Sequence, residues 1–346
     1  MKYQHLVSYV ANTLWAILPA KMAELLQVLA FRAAGHEFTA EEIAARIGDG
    51  RAAPIQPGGA AAVIPIRGLI AHRMSGMEQS SGGASAEQIS RQIAAVAADP
   101  TIGTIIYDID SPGGTVPGIQ ELAAQMFALR GKKTQVAQVN SMAASAAYWL
   151  ASQADEIVSL PSGQAGSIGV FTVHQDLSQA LANEGIDVTM ISAGKYKLEG
   201  NPFEPLSDEA RAMLQTRVNS AYDQFVSDVA RGRGVSVSSV RKGYGEGRAL
   251  PATEALAAKM IDRIGTMEDT IGRIMGRTPA GQLQAAAMPE KIPDTMEPND
   301  DGECEDGYTM GDDGMCHLMP MKGLAHPKSR ATLDRQQQDE ARARWL

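Results

Sequence analysis

The sequence predicts an α/β protein, a mainly parallel sheet with helices flanking it. Two observations carry this reading. Between about residues 60 and 275, short β-branched apolar runs alternate with stretches whose apolar residues repeat at helical spacing. Glycine- and serine-rich segments follow the ends of those runs, where parallel sheets present ligands. Strand–helix alternation of this kind implies right-handed crossovers and a sheet covered by helices. With 346 residues and 44% hydrophobic content, the chain can bury one large core and carry appendages.

Residues 1–57 read as a helical arm and linker. Leu14, Ile17, Met22, Leu25, Leu26 and Leu29 repeat at helical spacing, Thr39-Ala40-Glu41-Glu42 resembles a further helix start, and Gln56-Pro57-Gly58-Gly59 is a linker signal. Residues 58–276 form the expected main domain. It opens with a strand over 61–66 whose Pro65 points to a sheet edge. After a Gly/Ser/Met loop at 74–83, the capping box Ser85-Ala86-Glu87-Gln88 starts a helix with Ile89, Ile93 and Val96 on one face, and Pro100 ends it. A buried-type strand over 103–109, a helix over 117–129 and a strand over 135–139 follow. Further strands are expected over 156–160 and 188–191, with a short helix over 176–183 between them. Ser207-Asp208-Glu209 opens a long helix bearing Leu214, Val218, Tyr222, Phe225 and Val229, and a last helix–strand pair ends near residue 275. Residues 277–346 lose this periodicity. Their Pro, Asp, Glu, Gly and Met content reads as a disordered acidic tail with a short charged helix over 329–346.

A net charge of -9 argues against a nucleic-acid partner, which needs a basic face. The apolar run at 6–20 is too short and too polar to span a bilayer, and no signal-peptidase site follows it. A membrane anchor is therefore not expected. The two cysteines, Cys304 and Cys316, both lie in the tail, so no disulfide framework holds the fold, which suits a cytoplasmic setting. Together with His317 they fit no standard zinc spacing. No metal or cofactor is expected.

The chemistry centres on Val139-Asn140-Ser141-Met142-Ala143-Ala144-Ser145-Ala146-Ala147, a strand end passing through small residues into a helix. Such a passage exposes a serine hydroxyl beside the backbone N–H groups of a helix start. Serine is a weak nucleophile and needs a base and an oxyanion site. Asp110-Ser111-Pro112-Gly113-Gly114 also follows a buried-type strand, and its glycines can aim an N–H outward. Gly114 and Ala146 are thus the candidate oxyanion donors, with Gly113, Ala147 and Gly166 along the substrate cleft. The base has two readings. His174 with Asp176 or Asp187 would complete a triad; a desolvated lysine in Gly194-Lys195-Tyr196-Lys197 would serve as well.

The set Asp110-Ser111-Pro112-Gly113-Gly114, Ala143-Ala144-Ser145-Ala146-Ala147-Tyr148, Ala165-Gly166-Ser167-Ile168-Gly169-Val170 and Gly194-Lys195-Tyr196-Lys197 resembles the signal peptide peptidase A family, serine peptidases of the Clp protease/crotonase fold. Asn201-Pro202-Phe203-Glu204-Pro205-Leu206 is similar to the phage branch, the head maturation proteases. The resemblance spans roughly residues 60–275. It implies Ser145 as nucleophile, Lys197 as general base and Ser167 as the hydroxyl that orients the lysine. Lys195 is the alternative if the register is shifted. Ala146-Ala147 replaces the Gly-Gly of many members, which implies a narrower subsite. The resemblance further implies a homo-oligomer that cleaves peptide bonds of capsid or scaffold protein, in a bacterial host's cytoplasm or inside a procapsid. Gln282-Leu283-Gln284-Ala285-Ala286-Ala287-Met288 is a small-residue segment suited to self-processing. A signal-peptide-degrading peptidase, a Clp-like triad peptidase, a crotonase-type acyl-CoA enzyme and a non-enzymatic scaffold are the competing readings.

Overall fold

The structure is a computed structural model that describes residues 10, 13–33, 61–74, 82–276, 295–296, 308–310 and 315–318. Met1–Pro279 forms one compact unit and Ala280–Leu346 a second.

The first unit contains two sheets. In the larger one, β2 (Ala61–Arg67), β5 (Thr104–Ser111) and β7 (Thr134–Ala144) run parallel, with β2 at the edge. Pro65 sits on that edge strand, where a missing N–H costs no ladder bond on the outer side. The far side of β7 is shared. Its first half pairs β8 (Glu156–Ser159) and its last residues pair β9 (Gln164–Gly166), both in parallel. β10 (Ala249–Pro251) and β11 (Arg263–Ile264) extend β9 and β8. A mainly parallel sheet with flanking helices is therefore the architecture, as the alternation predicts.

The smaller sheet has the order β1-β6-β3-β4, built from Trp15–Ile17, Gly113–Thr115, Leu69–Ala71 and Gly83–Ser85. Two strands of the large sheet feed it directly: β2 passes into β3 at Gly68, and β5 into β6 at Pro112. Gly68 has φ 69 and lies so close to its neighbours that a Cβ there would sit 1.6 Å from the Gly82 carbonyl oxygen. Only glycine fits that crossing.

Helices cover the sheets. Ser85 caps α2 (Ala86–Ala98) by accepting from the Gln88 N–H, and Ile89, Ile93 and Val96 are buried as their spacing predicts. In α3 (Ile119–Ala128) the buried face is Ile119, Leu122, Ala123 and Met126. The short α4 (Ala146–Ala151) is buried all round, and the 26-residue α6 (Asp208–Arg233) packs its second half against it. Trp149 of α4 stacks on Phe225 of α6 at 4.4 Å, and its Nε1–H donates to the buried Asp228 carboxylate at 3.0 Å. Between these helices in sequence, α5 (Ser178–Asn183) lies on an exposed stretch. The chain then closes with α7 (Val237–Gly243), α8 (Ala252–Ala257) and α9 (Met267–Ile274).

Four expectations need correction. Residues 15–17 are not helical: Leu14-Trp15-Ala16-Ile17 holds strand formers, and the helix α1 (Pro19–Ala33) begins only at Pro19, where the fixed φ of proline suits a first turn. Residues 188–191 form no strand. They find no neighbour to pair with, and Ile191 is 95% exposed. In α6, Leu214, Val218 and Tyr222 are only half-buried, because the core reaches the helix from Phe225 onward. The tail is not without structure: Thr295–Met296, Tyr308–Met310 and Cys316–Leu318 form a three-stranded antiparallel sheet. The helix starts expected at 39–42 and 329–346, the loop at 75–81, the segment 282–288 and Cys304 lie outside the described residues.

The Trp149–Phe225 stack predicts a large local cost. Phe225→Ala should lower unfolding free energy by about 3–5 kcal/mol in urea denaturation, the range for truncating a buried aromatic ring.

Candidate active site

β7 delivers its last residue, Ala144, directly into Ser145, which precedes α4. Ser145 has φ 55 and ψ -118, a conformation that costs a non-glycine residue on the order of 1–3 kcal/mol. Backbone bonds hold it there. Its N–H donates to the Gly166 carbonyl at 2.7 Å, and its carbonyl accepts from Trp149 N–H at 2.9 Å. A serine held on a sharp strand-to-helix turn is the geometry that lifts a hydroxyl clear of the backbone. Alanines at 143, 144, 146 and 147, all fully buried, leave no side chain to crowd it.

The β5–β7 register places Ser111 opposite Ala143, so Ser-Pro-Gly-Gly lies beside the Ser145 turn. Gly113 has φ 99, and a Cβ on it would fall 2.9 Å from the Ala144 oxygen and 3.0 Å from the Ala146 nitrogen. Gly114 is crowded from the other side, where a Cβ would meet the Ile70 carbonyl oxygen at 1.7 Å. Ser111 braces this turn. Its buried hydroxyl donates to the Gly68 carbonyl at 2.6 Å and accepts from Gly113 N–H at 3.1 Å. Ser111 therefore ties together both chain crossings between the sheets. The first amide of α4, that of Ala146, has no acceptor within the helix and faces Gly113.

Ser167 repeats the Ser145 geometry across the β7–β9 pair. It has φ 55, is buried, and donates its N–H to the Arg248 carbonyl at 2.8 Å. Gly166 before it has φ 120 and admits no Cβ against Arg248 and Met260.

Lys197 stands apart from this cluster. It lies on an exposed turn, with its N–H donating to the Gly194 carbonyl, and no described residue bonds its Nζ. The Ser145 hydroxyl instead donates to the Gly169 carbonyl at 3.4 Å. Lys195 is equally exposed, and its Nζ donates to the Tyr196 hydroxyl at 2.7 Å and lies 3.6 Å from Glu209. The Tyr196 bond first, then Glu209, pushes the Lys195 pKa up, away from the neutral form a base needs. His174 does not meet Ser145 either, since its Nε2 pairs with the Asn201 carbonyl at 3.1 Å. Asp176 is bound by Ser178, first its hydroxyl and then its N–H, which holds its carboxyl below the usual range. The expected oxyanion and nucleophile residues thus converge, and each expected base lies elsewhere in this single chain.

Residues 128–278 match the peptidase family S49. The chain is 32% identical over 229 residues to the head-tail preconnector protein GP5 of Enterobacteria phage P21, covering 66% of this chain and 45% of that protein. It is 31% identical over 210 residues to the capsid assembly protease C of Escherichia phage lambda, covering 61% and 47%. The chain thus spans about half the length of these relatives. A point mutant of ClpP1 from Listeria monocytogenes aligns in structure with a TM-score of 0.37 at 17% identity, covering 60% of this chain and 92% of that one.

Within the matched segment, an open cleft of about 600 Å³ is lined in part by Gly169, the acceptor of the Ser145 hydroxyl. Ile168, Val170, Val218 and Tyr222 of α6, Arg241 and Glu246 also line it. Among the described residues no group of acidic, histidine or cysteine side chains could hold a metal, and no helix is long and apolar enough to cross a membrane. Ser111 was not singled out in the sequence as a working residue. Its signal was present, since a serine before Pro-Gly-Gly commonly bonds its own turn.

Ser111→Ala should leave the Gly68 carbonyl and Gly113 amide buried without their partner. Unfolding free energy should fall by roughly 1–3 kcal/mol in chemical denaturation, the cost of orphaned buried polar groups.

Proposed function

We propose that the protein is a serine endopeptidase in which Ser145 is the nucleophile and Lys197 the general base. The carrying observation is the strained Ser145 turn at the end of β7, with the Ala146 amide and the Gly113-Gly114 turn gathered around it, in a chain whose residues 128–278 match family S49. Neutral Lys197 takes the proton as Ser145 Oγ attacks a peptide carbonyl, and the N–H groups of Gly114 and Ala146 hold the oxyanion. The lysine then protonates the leaving amine, and water releases the acyl group. Ser167, buried beside Ser145 on the β9 side, orients the lysine.

Lys197 reaches Ser145 from a neighbouring copy of the chain in this proposal. Lys197 is exposed on the stretch that also exposes Ile186, Val188, Ile191 and Tyr196, an apolar surface suited to burial in a homo-oligomer. Burial there would keep water from the Lys197 amine, as a lysine acting as a base requires. By analogy with the phage relatives, the substrate is a capsid or scaffold protein, and the small-residue segment 282–288 is a site of self-processing.

Ser145→Ala should abolish peptide cleavage while far-UV circular dichroism stays unchanged. Lys197→Ala should cost roughly 10²–10⁴-fold, the contribution of a general base, and Lys195→Ala far less. Co-assembling Ser145→Ala with Lys197→Ala subunits should restore cleavage that neither shows alone; full activity of Lys197→Ala would exclude it as the base.

A further inference from the structure

The strand β1 (Trp15–Ile17) lies where an extended peptide substrate would lie. It pairs antiparallel with Gly113–Thr115 in the register Trp15↔Thr115, Ala16↔Gly114, Ile17↔Gly113. Val116 N–H donates to the Leu14 carbonyl at 3.0 Å, and Leu18 N–H to the Pro112 carbonyl at 3.0 Å. Bonded pairs in an antiparallel ladder alternate, so Ala16–Gly114 is the bonded pair between these two. The Gly114 N–H, an oxyanion donor in the reading above, therefore faces the Ala16 carbonyl. The point where a Gly113 Cβ would lie is 2.2 Å from the Ala16 oxygen and 3.0 Å from the Ala146 nitrogen, so the second donor converges on the same place.

The other edge of β1 is also held. Trp15 N–H donates to the Phe171 carbonyl at 2.8 Å, and Phe171 N–H to the Trp15 carbonyl at 3.0 Å. Side chains alternate along a strand. Trp15 and Ile17 pack in a small apolar cluster with Val10 and Met22, separate from the main core, whereas Ala16 is buried among the core residues around Ser145. Ser145 itself is 1% exposed. The buried Thr115 hydroxyl, on the residue opposite Trp15, has no hydrogen-bond partner among the described residues, a cost a permanently packed strand would ordinarily avoid.

We propose that residues 14–18 are a tethered, substrate-like occupant of the peptide cleft, with the Ala16 carbonyl at the oxyanion donors. An external peptide must displace them and carries a small residue in the place of Ala16. This rests on the reading of Ser145 as nucleophile, and the tests separate the two.

In the full chain, Trp15→Asp should release the strand; Trp15→Ala is the milder second variant. Hydrogen exchange at Val116 and Phe171 should be slow in the wild type and at least tenfold faster in the variant, with β5 and β7 amides still protected. A fluorescent peptide of residues 13–18, measured on a Ser145→Ala background, should bind the released variant about tenfold more tightly than the unreleased chain, a difference of about 1.4 kcal/mol. The same peptide carrying Ala16→Leu should lose that binding. Equal exchange and equal peptide binding with and without Trp15→Asp and Trp15→Ala would overturn the proposal. Fluorophosphonate labelling of Ser145 reports separately on the nucleophile: peptide binding without labelling would remove that reading and leave the occupancy standing.

Discussion

The structure depends on how closely two backbone crossings approach each other. β2 and β5 both leave the large sheet for the small one, at Gly68 and at Pro112-Gly113-Gly114, and both crossings pass within van der Waals contact of other main chain. A single methyl group at Gly114 would overlap the Ile70 carbonyl carbon at 2.5 Å as well as its oxygen. No side-chain repacking relieves a clash with backbone. The glycines are thus fixed by steric exclusion, and the N–H groups they bring to the Ser145 turn follow from that exclusion.

A close approach is useful only if the partner turn is equally fixed, and α4 provides this from behind. Its six residues are too few to be stable alone, so tertiary contacts must hold it. Tyr148 donates its hydroxyl to the Met260 carbonyl at 2.8 Å, and burial pushes its pKa well up, keeping it a neutral donor. Arg130 gathers the carbonyls at the far end, donating to Gln153 at 2.9 Å and Gly232 at 2.7 Å, and to Ser152 and Ala154. A cation at a helix C-terminus is electrostatically favoured, and here it binds the carbonyls of the turn just past α4 and one in the last turn of α6. The strain at Ser145 is therefore carried by contacts on the opposite end of its own helix.

Periodicity made the large sheet legible, because β2, β5 and β7 are seven residues or longer and their helices have a buried stripe. The small sheet was not legible for the same reason in reverse. Each of its strands spans three residues, too short for any alternation to register. Leu14 and Ile17 therefore read as part of a helical stripe, although the strand formers before Pro19 were a usable sign. At the site, the tight backbone at Ser145 and Gly113-Gly114 was suggested by the small residues around them, while their roles came from the family resemblance. The position of Lys197 could not be read in this way. A long side chain on an exposed turn takes its environment from tertiary or quaternary contacts, and residues 194–197 carry no pattern that encodes them.

That asymmetry bears on when the site can work. A lysine serves as a base near neutral pH only if water is kept from its amine, yet Lys197 is exposed in the single chain. Ser145, the nucleophile of the proposal, has the opposite setting, buried at 1% exposure, with a strand of its own chain paired to the neighbouring Gly113–Thr115. One partner needs a surface to cover it, and the other needs a cover removed. On the Ser145–Lys197 reading, a lone chain is therefore doubly inactive, and two separate events must both occur before a peptide bond is cut. On that reading, such a requirement confines cleavage to the assembled state.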